Sequence, residues 1–334
     1  VRLPRTALLL PALLPSLARA DTPFNYLSAA SPSASEIARL LFLLGAVSIV
    51  VVVVIAMLLV SSIFHRRPPD PTHGKPQRDE GGMGWIYWGV SISAVVLAVC
   101  MGWNLKVIAD VVKPPSRPAL TVEVTAHQWW WELRYMDQQP SHIFLGANEI
   151  HIPVGQPVDF KLASDDVIHS FWVPKLAGKM DIIPGQTNEV WIEALQPGVY
   201  RGECAVFCGT EHARMAFLVI ADAPADFQAW RERQLDPAPA PENAVDRLGE
   251  QVFTGRCAAC HTLRGSPAAG LIGPDLTHLM GRQTLAAGAL PNTPDDLGNW
   301  IRDPQRYKPG TRMPAMALTD QDLAALTAYL ETTH

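Results

Sequence analysis

Cys204, Cys208, His212 and Met215 follow one another at intervals of four, four and three positions, and Cys257, Cys260 and His261 form a second group downstream. The first group offers two thiolates, an imidazole and a thioether, the soft donors favoured by copper that cycles between oxidation states. His169, in Asp166-Val167-Ile168-His169, is the natural fifth side-chain ligand from another loop. Two thiolates can bridge two coppers, each also taking one imidazole, and an electron shared by two metals changes each bond length little. A blue-copper centre needs one cysteine, and a structural zinc has no use for the methionine. The second group, Cys-Ala-Ala-Cys-His, is an attachment sequence for covalently bound c-type haem. Its thioethers pin the porphyrin edge at Cys257 and Cys260 while His261 reaches the iron. A methionine on the opposite side raises the iron potential. Met313, in the Pro-Gly-Thr-Arg-Met-Pro run, is the expected axial partner, with Met316 second and Met280 a further rival. Both sites suit holding and passing on an electron.

These groups need loops held by strands in one case and by helices in the other. Leu120, Val122, Val124 and Ala126 alternate with more polar neighbours, the pattern of a half-buried strand. Strand-like runs follow at 149–153, 157–163, 187–193 and 214–220, broken by Pro-Gly and Gly-Gln turn signals. An all-β sandwich or small barrel over 118–222 is expected. Residues 223–243 read as a Pro-rich linker, with Asp-Pro-Ala-Pro-Ala-Pro-Glu as its extended stretch. Over 244–334 the pattern is helical, with helices near 243–256 and 295–302. A last helix opens on the Thr319-x-x-Asp322 capping pair. His278 reads as a surface histidine.

The 334 residues suffice for two or three modest domains. A net charge of -5 argues against nucleic acid as a partner. Residues 1–20 read as a signal peptide, with Arg2 and Arg5 before an apolar run and Ala18-Arg19-Ala20 as a cleavage site. Leu40 to Ile63 and Ile86 to Leu105 carry no charge. Each is long enough to cross a bilayer core, which takes roughly 20 apolar residues. Two transmembrane helices are expected, at 36–64 and 84–110. The short basic loop between them, from His65-Arg66-Arg67 to Arg78, places itself in the cytoplasm and the later domains outside. With four of five cysteines in the two motifs, no pair is left for a disulfide. Cys100 stands alone in an apolar run.

The copper motif, the two helices before it and His127-Gln128-Trp129-Trp130-Trp131 closely resemble subunit II of cytochrome c oxidase over about 35–222. The resemblance implies a cupredoxin-like barrel holding the dinuclear CuA centre through His169, Cys204, Cys208, His212, Met215 and the Val206 main-chain carbonyl. It also implies that Trp129 or its neighbour Trp131 brings electrons to copper, whereas Trp130 is read as strand packing plus interface anchoring. One departure is Val206, where the family usually has a glutamate that also helps hold magnesium. A hard cation wants oxygen ligands, so magnesium is not expected through this residue. A second departure is the absence of the family's usual carboxylate near the start of the second helix, where Gly81-Gly82-Met83-Gly84-Trp85 stands. Residues 244–334 resemble a class I cytochrome c, which implies that the Pro274 carbonyl orients the His261 ring.

Together these features imply a multi-domain membrane protein: a two-helix hairpin, an all-β cupredoxin-like barrel, and an all-α cytochrome c domain. The implied role is subunit II of a haem-copper terminal oxidase in a bacterial cytoplasmic membrane, with the copper and haem domains on the periplasmic side. It would take electrons from cytochrome c or a similar donor through haem c and copper to haem in subunit I. Oxygen reduction to water and proton translocation would follow there, with no oxygen-reducing site in this chain. Subunit III and membrane lipid are further expected partners. The small subunit of a copper-containing nitric oxide reductase would look alike. A membrane-anchored copper-binding protein has no use for the haem motif.

Overall fold

A computed structural model describes residues 24–65 and 83–334. The signal segment and the basic loop from Arg66 to Arg78 lie outside the described residues. Helix α1 (Pro32–Phe64) begins at Ser31, whose hydroxyl accepts from the Ala34 N–H at 2.9 Å, with Pro32 in the first turn. Helix α2 (Met83–Val112) runs back beside it. Both extend past the expected spans. At 1.5 Å per residue, the 33 residues of α1 reach about 50 Å, more than a bilayer core. Their Leu, Ile, Val and Trp side chains stay exposed along nearly the whole length. Among described residues of the two helices only Ser33, Ala34 and Val107 are buried. Such faces need lipid or a partner subunit to cover them.

Both helices are fastened at one end to a β domain. The Ala30 N–H donates to Lys175 O at 2.8 Å, and Trp191 Nε1 donates to Val111 O at 2.8 Å. The strands are β1 (Leu120–His127), β2 (Trp130–Tyr135), β3 (Phe144–Ala147), β4 (Glu149–Pro153) and β5 (Val158–Ser164). They continue as β6 (His169–Trp172), β7 (Met180–Ile182), β8 (Asn188–Ile192), β9 (Gly198–Cys204) and β10 (Ala216–Asp222). They form two five-stranded sheets, ordered β3-β2-β1-β5-β8 and β4-β10-β9-β6-β7. Val158, Phe160 and Leu162 on β5 and Val122, Val124 and Ala126 on β1 alternate inward. Trp131, Phe160, Phe171 and Phe217 fill the space between the sheets, with the Phe171 and Phe217 rings stacked 4.6 Å apart. This is the expected all-β domain.

Helix α3 (Pro224–Arg233) corrects the linker reading. Its Trp230 stacks on His151 at 4.1 Å and meets the Tyr135 ring edge-on at 5.3 Å, so the helix covers the outer side of β4 and β10. Only the stretch after it is extended, and that stretch is tied down. Arg264 donates to Gln234 O at 2.5 Å and Leu235 O at 3.2 Å, and the Ala238 N–H donates to Arg264 O at 2.8 Å. His278 is buried, not a surface residue: its ring nitrogens contact Asp236 O at 3.1 Å and His334 O at 2.7 Å.

The last domain holds α4 (Ala244–Arg256), β11 (Thr284–Leu285), β12 (Leu290–Pro291), α5 (Pro294–Arg302), α6 (Pro304–Tyr307) and α7 (Asp320–Leu330). The small hairpin is an addition to the expected all-α pattern. Asn243 caps α4 by accepting from Val245 N and Asp246 N. Thr319 caps α7 by accepting from the Asp322 N–H at 3.0 Å, as its spacing predicts. The two helices cross at Gly249, where a Cβ would lie 2.3 Å from Ala325 O. Phe253, Leu326 and Tyr329 are buried at this crossing.

Candidate functional site

Strand register brings the sulfur ligands to the imidazole. Phe171 on β6 pairs with Cys204 at the end of β9, so His169 sits beside that cysteine. The His169 Nδ1 lies 3.8 Å from Cys204 Sγ, and the two cysteine sulfurs are 3.7 Å apart. On the far side, Cys208 Sγ is 3.6 Å from His212 Nδ1 and 3.8 Å from Met215 Sδ. The Val206 carbonyl oxygen is 3.2 Å from Cys204 Sγ. His169, Cys204, Cys208 and Met215 are buried, with His212 half-buried. The end of β9 and the loop after it thus meet His169 of β6, gathering five side chains and one carbonyl into a single cluster, with the thiols in the middle and an imidazole at each end.

The cluster is electrostatically primed for a cation. The two thiols are tightly coupled: the contact with Cys208 pulls the Cys204 thiol well below its usual range, while Cys208 beside it is pushed up. Burial alone would lower the His169 imidazole, but its hydrogen bonds with Cys204 and Asp166 outweigh that and raise it. The Asp166 carboxylate holds His169 Nε2 at 2.9 Å, leaving Nδ1 turned to the sulfurs. A donor set of two thiolates, two imidazoles, a thioether and a carbonyl fits copper.

The second site is a cavity of about 220 Å³ bordered by Cys257, Cys260, His261, Met313, Met316 and Trp300. The His261 Nδ1 contacts the Pro274 carbonyl at 2.8 Å, so Nε2 is the nitrogen free to meet a metal. Burial lowers this imidazole, against the opposing Pro274 bond, and keeps it in the neutral form that ligates iron. A Cβ on Gly273 would come within 2.7 Å of the ring, so only glycine lets the chain pass there. Arg256, Arg282, Lys308 and Arg312 bring positive charge to an otherwise largely apolar wall, a fit for a porphyrin with anionic propionates. Met313 and Met316 both reach the cavity. Met280 instead packs partly buried against the domain core. Gln305 holds the methionine loop, donating to Thr311 O at 2.8 Å and Met313 O at 2.9 Å.

The three tryptophans divide their roles. Trp131 is fully buried in the barrel core, edge-on to Phe171 and Phe217. Trp129 lies between the two sites, 7% exposed, and its Nε1 donates to Cys208 O at 3.2 Å. Trp130 stacks on His127 at 4.5 Å and, with Trp129 and Gln128, borders the same cavity as His261. Trp130 therefore faces the last domain. Gln128 also escaped notice. Its side-chain amide donates to Cys208 O at 2.8 Å, and the only signal was its place beside Trp129.

Residues 139–222 match the family model for the periplasmic domain of cytochrome c oxidase subunit II, and residues 247–334 match the cytochrome c model. Cytochrome c oxidase subunit 2 of Alkalihalophilus pseudofirmus is 40% identical over 251 residues, covering 73% of this chain and 71% of the relative. That of Bacillus sp. strain PS3 is 33% identical, covering 73% and 72%. Among solved structures, the periplasmic domain of cytochrome oxidase subunit II from Bradyrhizobium japonicum is similar at 29% identity. It covers 36% of this chain and 95% of that one, with a TM-score of 0.34.

Proposed function

The chain belongs to the cytochrome c oxidase subunit II family, and we propose that its own task is to admit electrons at the last domain and deliver them through the barrel to subunit I. It is a component of an oxidase, associates with subunit I and cytochrome c, is membrane-anchored and has a periplasmic domain. The finer reading puts it in a bacterial cytoplasmic membrane, crossing twice, with both cofactor-bearing domains on the periplasmic side. The exposed faces of α1 and α2 would be covered by lipid, subunit I and subunit III.

A copper pair and a covalent haem c would supply one-electron redox chemistry at the two sites when bound. Cys204, Cys208, His169, His212, Met215 and the Val206 carbonyl would hold the copper pair. Cys257 and Cys260 would tether the haem, and His261 and Met313 would ligate its iron. Trp129, bonded to the Cys208 carbonyl, is the side chain between the sites, and Trp131 lies in the core 6.2 Å from the His169 ring. The observation that carries the dinuclear reading is the pair of sulfurs 3.7 Å apart with one imidazole beyond each.

Electron paramagnetic resonance and optical spectra of the purified full chain test it. One unpaired spin with hyperfine structure from two coppers is expected, beside a low-spin c-type haem band. Cys204→Ser should abolish the two-copper pattern and leave the haem band. An unchanged copper spectrum in that variant overturns the ligand assignment.

A further inference from the structure

The hairpin between β11 and β12 turns on residues in an unfavourable conformation. Ala286 and Ala287 have φ of 53° and 58°, a region that L-residues with a Cβ avoid. Such outliers persist where their surroundings hold them. Here both carbonyls of the pair are engaged. Ala287 O accepts the Ala216 N–H of β10 at 3.0 Å, and Ala286 O accepts from Lys308 Nζ at 3.1 Å.

Lys308 is the unusual member of this contact. It is 2% exposed, and the same Nζ donates at 2.6 Å to the main-chain carbonyl of Trp129 in the barrel. A lysine taken out of water is costly unless its donors are used, and two carbonyls from two domains take two of its three. The loop it begins lies on the barrel. A Cβ on Gly310 would sit 3.6 Å from the Trp129 indole, and Arg312 is 3.7 Å from the Asp166 carboxylate. The same loop leads to Met313. A second fastening lies across the hairpin, where Glu149 Oε1 accepts from Gln283 N at 2.7 Å and Thr284 N at 2.8 Å.

We propose that Lys308 is a positioning residue that acts through Trp129, latching the 308–313 loop onto the barrel so that haem and copper domains work as one docked unit. The inference rests on the family reading above. It adds that the route between the sites is closed by a side chain that ligates neither metal. In the transfer it serves, one electron passes from one domain to the other with no bond made or broken.

Hydrogen exchange on the full chain in detergent, with both cofactors loaded, tests the latch directly. The Ala216, Gln283 and Thr284 amides cross the interface, so they should be protected in the unaltered protein. Lys308→Met should speed their exchange roughly tenfold or more, while amides within β9 and α4 keep their protection. Flash-induced transfer from haem to copper should slow by a similar factor or more, on the order of tenfold. Unchanged interface protection, or an unchanged transfer rate, overturns the proposal. So do interface amides that exchange freely in the unaltered protein. Should Lys308→Met fail to load its cofactors, Glu149→Ala reads the same interface through Ala216, where retained protection counts against a docked unit. Absence of haem or two-copper spectra from the unaltered protein would instead sink the family reading, leaving the amide result to speak for the latch alone.

Discussion

Asp166 accepts the Nε2 side of His169 at 2.9 Å, and that one contact decides which imidazole nitrogen is presented to the cysteine sulfurs. Removing such a partner of a ligating histidine lowers metal affinity by about 10- to 100-fold. Asp166→Ala is therefore expected to lose copper to a chelator at concentrations the unaltered protein withstands. Copper-to-protein ratios after graded chelator treatment measure this. Equal retention would mean that the ring is held by packing alone.

The axial assignment separates two methionines that border one cavity. Met313→Leu should remove the methionine-ligand absorption of the oxidised haem and lower its potential, since the thioether favours the reduced iron. Met316→Leu should leave both intact. The reverse outcome transfers the role to Met316.

Gly209 sits at φ 124°, and a Cβ there would lie 2.9 Å from the Trp129 indole. Gly209→Ala thus adds backbone strain and a clash at once, each worth about 1–3 kcal/mol. The expected result is a lower melting temperature together with slowed haem-to-copper transfer, because the indole must move away from the Cys208 carbonyl. Thermal denaturation and flash kinetics on the same sample check it. A stable variant with normal kinetics would show that the indole has room to spare.

Docking should depend on pH through Lys308. Burial pushes its ammonium down to about 7 from the usual 10.5, with Glu211 and Cys208 opposing the shift and Arg214 adding to it. Glu211 is itself paired with Arg214 at 2.9 Å. A released lysine regains its ordinary affinity, so between pH 7 and 10.5 the open form holds more protons than the docked one. Docking accordingly strengthens as pH rises through that window, by up to about 1.4 kcal/mol per unit, and weakens toward neutrality. Amide protection at Ala216, corrected for intrinsic exchange, should rise from pH 7 to about 9 in the unaltered protein and stay flat in Lys308→Met. A falling profile contradicts the assignment.

The sites were legible because their chemistry is local. Cys204 to Met215 and Cys257 to His261 are short runs whose spacing alone names the donors, and alternation along β1 and β5 is visible residue by residue. What escaped depends on distant surfaces meeting. Helix α3 has a polar composition and a proline at its start, and only the stacking of Trp230 on His151 makes it a covering element. Strands β6 and β9 are short or carry arginine and glutamate, so their pattern is weak until β10 pairs with β9. Lys308 stood inside the methionine motif without a role, since nothing in its neighbours announces that Trp129, far back in the chain, ends at its amine. His278 gave no sign of burial because its partners are carbonyls at Asp236 and His334.

Arg264 and His278 staple the proline-bearing tether to the flank of the last domain, so the strap between barrel and cytochrome has little slack to give. The pair of domains resembles a soldered junction more than a shuttle on a leash. On the docked arrangement proposed above, the gap between stationary terminals governs conduction, and thickening the solvent with glycerol is expected to leave the internal handover unslowed while retarding diffusive arrival of the outside carrier.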